Sequence, residues 1–345
     1  MKERLHYIDV CKGLLIIMVI LHHLTNNARW TFGITCETFD VIDHCNELYL
    51  CFFMQAFFLI SGYCSNFSEP FSQFFRKNLK QLLLPAFCIA MLVRVVRLCI
   101  YQDISYIEQI FKPHFIAYAF GGYWFIYALF VCRILFWLIN KYIHREYIVW
   151  LLVTIGLVLS IALEKPLRIS NSIIALPNVF FWENTLANLP FLMIGYKFKK
   201  SLFGTKNLLL SSFAFIFMFG LLKIFGGAKI TIYTMSSNIT LFNLLEYVLL
   251  AYSGSLFIVS ISKYIKYSSF LEKFGKQSLL VYCTHGLFLN VLLEFTNRYI
   301  LSPNSIGRAL LFYVFVAMLT LLCCYFTIMV FETKYLSWIL GKRKL

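Results

Sequence analysis

Charge is scarce in this chain. Asp, Glu, Lys and Arg make up 14% of 345 residues, against roughly 25% in a soluble domain, while apolar side chains reach 60%. That balance excludes a soluble globular protein, whose interior could not hide so much apolar surface. No long polar stretch interrupts the apolar runs, which excludes a separate soluble domain of useful size. The expectation is a single membrane domain over residues 1–345. Cysteine is plentiful at 11, yet there is no CxxC pair and no Cys/His spacing suited to a metal, so no metal is expected. Most cysteines fall in apolar runs, where Cys behaves as a small apolar residue. Cys36 and Cys45 share one polar loop, and a disulfide and two free thiols are equally compatible with that placement. The first apolar segment lacks a small-residue cleavage site and is expected to stay in place as an anchor.

What the chain does have is a series of long apolar runs. About 20 mostly apolar residues cross roughly 30 Å of hydrocarbon. Ten stretches approach that length: 8–24, 48–64, 80–100, 122–140, 147–163, 186–199, 207–225, 240–261, 277–294 and 308–331. The sixth is short and carries Pro190. The expected fold is therefore an all-α bundle of about ten transmembrane helices.

Basic residues orient it. With the first residues on the cytoplasmic side, twenty Lys and Arg fall in inner segments and eight in outer ones; Arg94, Arg97 and Arg133 lie within spans. The bias follows the positive-inside pattern and places both termini in the cytoplasm. It also accounts for the net charge of +15 without nucleic acid, because the charge sits in short loops beside anionic lipid headgroups. Membrane lipid is the expected partner, and nucleic acid is not.

Ionisable groups at membrane depth are costly, so each is a candidate functional residue. The first span opens Ile8-Asp9-Val10-Cys11-Lys12-Gly13 and ends at His22-His23. Lys12 and His23 lie on one helix face, about 20° apart after three turns and roughly 16 Å apart along the axis. A cation near one surface and an imidazole near the other thus share a stripe. Asp9 sits one turn before Lys12, within pairing reach. His22 lies about 100° round from His23, so the two are not expected to face one site equally. Snorkelling of Lys12 to headgroups is the plainer alternative. Elsewhere, Ser61-Gly62 suits close helix packing, and Arg76-Lys77 suits either inside charge or phosphate. Trp124 sits at an interface, His285 near mid-membrane, and Glu246 in the eighth span as a proton site or a partner of Arg94 or Arg97.

Taken together, these elements resemble the acyltransferase 3 family, bacterial multi-pass membrane proteins that O-acylate envelope sugars and related acceptors. Lys12 through His23 is similar to the family's Arg-or-Lys, ten residues, His signature. Phe57-Phe58-Leu59-Ile60-Ser61-Gly62-Tyr63 is similar to its FFxxSGF/Y segment. Arg76-Lys77 with Leu83 and Pro85, Trp124-Phe125, and Ser278-Leu279 with Tyr282 and His285 follow in the family's order. Lys12 stands where many members carry Arg, giving a point charge in place of a planar fork. His22 stands where a small residue is usual, and no soluble esterase-like domain follows the spans.

The resemblance implies a donor, acyl-CoA and most simply acetyl-CoA, held on the cytoplasmic side by Lys12, Arg76 and Lys77. It implies a carbohydrate or glycolipid acceptor on the outer side, His23 as catalytic base, and Asp9, Ser61, Trp124, Glu246 and His285 in support. It places the protein in the bacterial cytoplasmic (inner) membrane, with a homo-oligomer left open. A transporter or flippase with an intramembrane proton relay is the alternative, although the two halves show no repeat of broken-helix segments.

Overall fold

A computed structural model describes residues 5–34, 37–108, 123–173, 181–199, 204–224, 241–265, 268–300, 303, 305–333 and 336. Cys36, and with it the pairing with Cys45, lies outside the described residues, as do Gly121-Gly122 and the basic residues Lys342, Arg343 and Lys344. Among the described residues the chain is helical throughout, with no strand. This follows from the composition: in hydrocarbon a helix is the local structure that satisfies its own backbone groups. In chain order the helices are α1 (His6–Asn26), α2 (Glu37–Leu50), α3 (Phe53–Cys64), α4 (Phe71–Asn78), α5 (Leu84–Tyr101) and α6 (Ser105–Glu108). They continue as α7 (Trp124–Tyr142), α8 (Glu146–Ile173), α9 (Trp182–Lys197), α10 (Thr205–Ile224), α11 (Leu241–Tyr264), α12 (Ser269–Lys276), α13 (Ser278–Phe295) and α14 (Ile306–Phe331).

In their described residues the stretches read from the sequence as spans are largely helical, the second running over both α2 and α3. Among the described residues seven helical stretches, against the ten expected, are long and apolar enough to cross a membrane: His6–Thr31, Thr38–Cys64, Phe71–Tyr101, Trp124–Tyr142, Leu244–Tyr264, Ser278–Ile300 and Ile306–Phe331. Glu146–Ala162 and Lys206–Leu221 are shorter apolar stretches. α9 has 16 residues with Pro190 inside, where a missing N–H leaves one carbonyl without its helical donor. The protein is a multi-pass membrane protein. Its outer surface carries large apolar side chains that a soluble protein would bury, such as Leu210, Phe213 and Ile216 on α10 and Leu311, Met318 and Phe326 on α14, each at least half exposed.

Two helix crossings fix the centre. On α3 and α9, a Cβ at Gly62 would fall on the carbonyl oxygen of Leu192, and one at Gly195 on that of Leu59. On α1 and α12 the same reciprocity holds: a Cβ at Gly13 would meet the Leu271 carbonyl, and one at Gly275 the Asp9 carbonyl. Backbones this close require glycine on both sides, the close approach that small residues permit in membranes. Around the second crossing, Glu272 of the amphipathic α12 bonds Lys276 at 3.0 Å and His6 at 3.3 Å. The Lys276 ammonium holds the Glu272 carboxyl below the usual carboxylate range. The crossings therefore set where α1 and α3 present their polar residues.

The test is a set of Gly-to-Ala variants. Gly62→Ala and Gly195→Ala should each lower the melting temperature in detergent, by an overpacking cost of about 1–3 kcal/mol. At Gly220 nothing lies within 4 Å of a built Cβ. Gly220→Ala should therefore raise the melting temperature slightly through helix propensity, by up to about 1 kcal/mol. Equal behaviour of all three would remove the crossing as an organising contact.

Candidate functional site

Two cavities lie end to end along α1. The first, of about 190 Å³, is lined by Lys12 and Ile16 of α1, Met54, Phe57, Ser61 and Cys64 of α3, Arg133 of α7, and Ser278 and Tyr282 of α13. The second, of about 520 Å³, is lined by His22, His23 and Asn26 of α1, Met54 and Gln55 of α3, Trp124 of α7, Asn184 and Asn188 of α9, Tyr247 of α11 and Tyr282 of α13. Met54 and Tyr282 line both, so the two compartments adjoin at these residues. The single-face stripe expected of Lys12 and His23 thus appears as one residue in each compartment.

The Lys12 compartment is electrostatically one-sided. Two cations line it and no Asp or Glu does. Among the described residues the Lys12 ammonium makes no hydrogen bond or ion pair, so the expected pairing with Asp9 does not form. Among the described residues the Arg133 guanidinium makes no hydrogen bond either; its buried Nε has no partner, and its Cζ lies over the Phe74 ring, 5.9 Å from the centroid. Glu69, whose charge acts on Arg133, is itself bonded to Lys77 at 3.0 Å. Two half-buried cations without hydrogen bonds among the described residues suit an anion. Ser61 and Ser278 add hydroxyls, and Ser61 also accepts a 2.6 Å bond from Ser65 Oγ at its carbonyl.

The other compartment contains the imidazoles. His22 and His23 both line it, with ring centroids 5.5 Å apart, contrary to the expectation from the 100° offset. The cavity is wide enough to wrap the end of α1, so adjacent residues reach it from two sides. Their hydrogen bonding differs. Asn26 Nδ2 donates to His22 Nε2 at 3.0 Å, which occupies that lone pair. His23 makes no hydrogen bond among the described residues, so its lone pair stays available. Behind it stands His285, at 5.2 Å between ring centroids. His285 Nδ1–H donates to the Val281 carbonyl at 3.1 Å, which turns Nε2 outward as an acceptor. Tyr282 packs on His285 at 5.8 Å. The α7 entrance is held by Tyr123, whose hydroxyl donates to the Cys283 carbonyl at 2.8 Å and so places Trp124 at the rim. At the mouth, the π-helical turn Asn27–Thr31 carries Arg29, bonded to Asp40 at 2.9 Å and Asp43 at 3.1 Å.

The residues expected from sequence divide accordingly. Lys12 and Ser61 meet in one compartment, and His23 and Trp124 in the other, with His285 directly behind. Asp9 is buried under α12, and its carbonyl faces Gly275. Arg76 and Lys77 are exposed on α4 and line neither compartment, although Leu82 of the following π-helical turn reaches the Lys12 side. Glu246 lines neither compartment and makes no ion pair with Arg94 or Arg97, while its neighbour Tyr247 does line the His23 side. Sequence reasoning did not assign roles to Arg133, Gln55, Asn184 and Asn188. The available signal was a polar side chain inside an apolar run, and in α9 two Asn four residues apart on one face.

Among known proteins, a family model described as an acyltransferase domain matches residues 5–329. No curated protein and no solved structure matches the chain.

The anion reading predicts binding. With CoA as a phosphate-bearing probe, Lys12→Met and Arg133→Met should each weaken anion binding by about tenfold or more, the loss expected for a charge-assisted hydrogen bond. Arg76→Met, outside the cavity, should weaken it less. Isothermal titration of the purified protein with CoA reads this directly, and unchanged affinity in both cavity variants would remove the anion site.

Proposed function

The chain belongs to the acyltransferase 3 family, and from that premise we propose that it is a membrane O-acyltransferase. In this reading it takes an acyl group, most simply acetyl, from cytoplasmic acyl-CoA and transfers it to a hydroxyl of an envelope carbohydrate or related glycolipid on the outer side. The observation that carries the proposal is the pair of compartments, one with unpaired cations and the other with an uncommitted imidazole, adjoining at Met54 and Tyr282.

Lys12 and Arg133 hold phosphates of the donor, with Arg76 and Lys77 on the exposed α4 meeting the rest of the nucleotide. The pantetheine arm passes between Met54 and Tyr282 and brings the thioester to His23. Met54 suits such a passage because an unbranched thioether adapts its shape. The acceptor oxygen attacks the thioester carbonyl carbon as His23 takes the hydroxyl proton. The carbon–sulfur bond then breaks, the proton passes to the departing thiolate, and an ester and free CoA result. Base assistance of this kind contributes about 10²–10⁴-fold.

The sidedness rests on the charge bias, with both termini inside and ten passages. It is supported by helix direction. α1 and α13, the proposed first and ninth passages, begin at the Lys12 compartment. α3, α7, α9 and α11, in the proposed second, fourth, sixth and eighth, bring their early residues Phe53, Trp124, Asn184 and Tyr247 to the His23 compartment. That alternation is what an uninterrupted up-and-down path requires. The bacterial inner membrane is the corresponding location.

The experiment is transfer by purified protein from labelled acetyl-CoA to candidate glycans. His23→Ala should lower the rate by about 10²–10⁴-fold with membrane insertion intact. His22→Ala, whose lone pair Asn26 already occupies, should cost far less. Equal losses, or an active His23→Ala protein, would reject His23 as the base.

A further inference from the structure

One wall of the His23 compartment takes no part in the transfer chemistry just described, and it is polar. Gln55, Asn184, Asn188 and Tyr247 converge there from α3, α9 and α11, deep in an apolar bundle. Gln55 and Asn188 retain only 7% and 1% of their surface. Asn188 Nδ2 donates to the Asn184 backbone carbonyl at 2.7 Å, and Gln55 Nε2 to the Tyr247 hydroxyl at 2.7 Å. The other end of each amide, Asn188 Oδ1 and Gln55 Oε1, has no partner although both atoms are buried. A backbone carbonyl only accepts, so the Asn188 bond fixes which end is left over, and that end is an acceptor. Such groups are normally satisfied, and each exception calls for an explanation.

Building on the O-acyltransferase reading, we propose that Asn188 and Gln55 are the acceptor-reading residues of this cavity, accepting hydrogen bonds from acceptor hydroxyls other than the one acylated. Three observations argue for hydroxyls over charges. The cation at the mouth, Arg29, is already matched by Asp40 and Asp43. Both amides are neutral, and the free acceptor end of Asn188 is fixed by its bond to the Asn184 carbonyl. The Asn184–Asn188 spacing on α9 and the Gly62–Gly195 crossing hold the α9 wall against α3, so two readers act as a rigid pair. A site that spends buried polar groups on a substrate hydroxyl rejects an analogue lacking it, because those groups are then left unpaired. Asn188 and Gln55 are therefore specificity residues, distinct in role from His23.

The test uses purified full-length protein, labelled acetyl-CoA, and a panel of methyl glycosides (glucoside, galactoside, mannoside, rhamnoside) with their monodeoxy analogues. Acetyl-CoA hydrolysis by water serves as the donor-only reading. Asn188→Leu and Gln55→Leu replace each amide by an apolar side chain and so remove the acceptor. Each should lower kcat/KM for the preferred glycoside by about tenfold to a hundredfold, chiefly through the acceptor KM. Donor KM and hydrolysis should stay within about twofold. The variants should also lose the wild-type preference over one deoxy analogue. An unchanged acceptor KM, or equal losses in hydrolysis and transfer, would overturn the subsite, the second by indicating a structural role. Hydrolysis by the wild type without transfer to any glycoside of the panel would also overturn it. Absence of both hydrolysis and transfer would instead overturn the acyltransferase reading on which it stands.

Discussion

Hydrocarbon offers no hydrogen bonds, and every polar group in this bundle is placed by that constraint. Backbone groups are absorbed into helices. Isolated hydroxyls bond back to the preceding turn, as Thr284 does to Leu280 and Thr320 to Val316. Several of the polar side chains that are not absorbed locally gather around two cavities. Lys12 and Arg133, too costly to leave against lipid, share one; the imidazoles and amides share the other. The burial penalty that shapes the fold thus also concentrates cations at one cavity and imidazoles and neutral amides at the other. Glycine contacts make the arrangement rigid, since α1 and α3, which line both compartments, are each pressed backbone to backbone against a neighbour.

Much of this was legible in the sequence, and the limits have physical reasons. Helical periodicity put Lys12 and His23 on one face because both belong to one helix, and intrahelical geometry needs no partner. The helical class followed from apolar run lengths, and Pro190 marked α9 as short for the same local reason. Arg133 was visible as a charge inside a span, but its meeting with Lys12 depends on how α7 packs against α1 and α3, which no local pattern encodes. Arg76 and Lys77 stood out as a dense cluster, yet density on the amphipathic α4 describes an exposed face and not a cavity wall. Gln55 and Asn188 look in sequence like ordinary polar insertions. Only tertiary packing, with one end of each amide paired and the other not, separates them from structural hydrogen bonding. The reciprocity of Gly13 with Gly275, 262 positions apart, was likewise beyond a linear reading.

The structure also distinguishes two adjacent imidazoles that the sequence left to spacing alone. Asn26 ties up one lone pair, and the neighbouring ring, backed by His285, keeps its own. A base must have an unoccupied lone pair before its pKa matters, so this hydrogen-bond assignment precedes any argument from acidity. In the proposed reaction only a thioester arm has to pass Met54 and Tyr282, the two residues that line both compartments.

The central claim is therefore transfer across the membrane between two compartments of one protein. Proteoliposomes of known orientation, with labelled acetyl-CoA confined to one side and the glycoside acceptor to the other, test it most directly. The account predicts acylated product on the acceptor side only when acetyl-CoA is on the side of the first residues and Lys12, and little product when both substrates share the opposite side. Product formed efficiently with both substrates on the His23 side alone would contradict it.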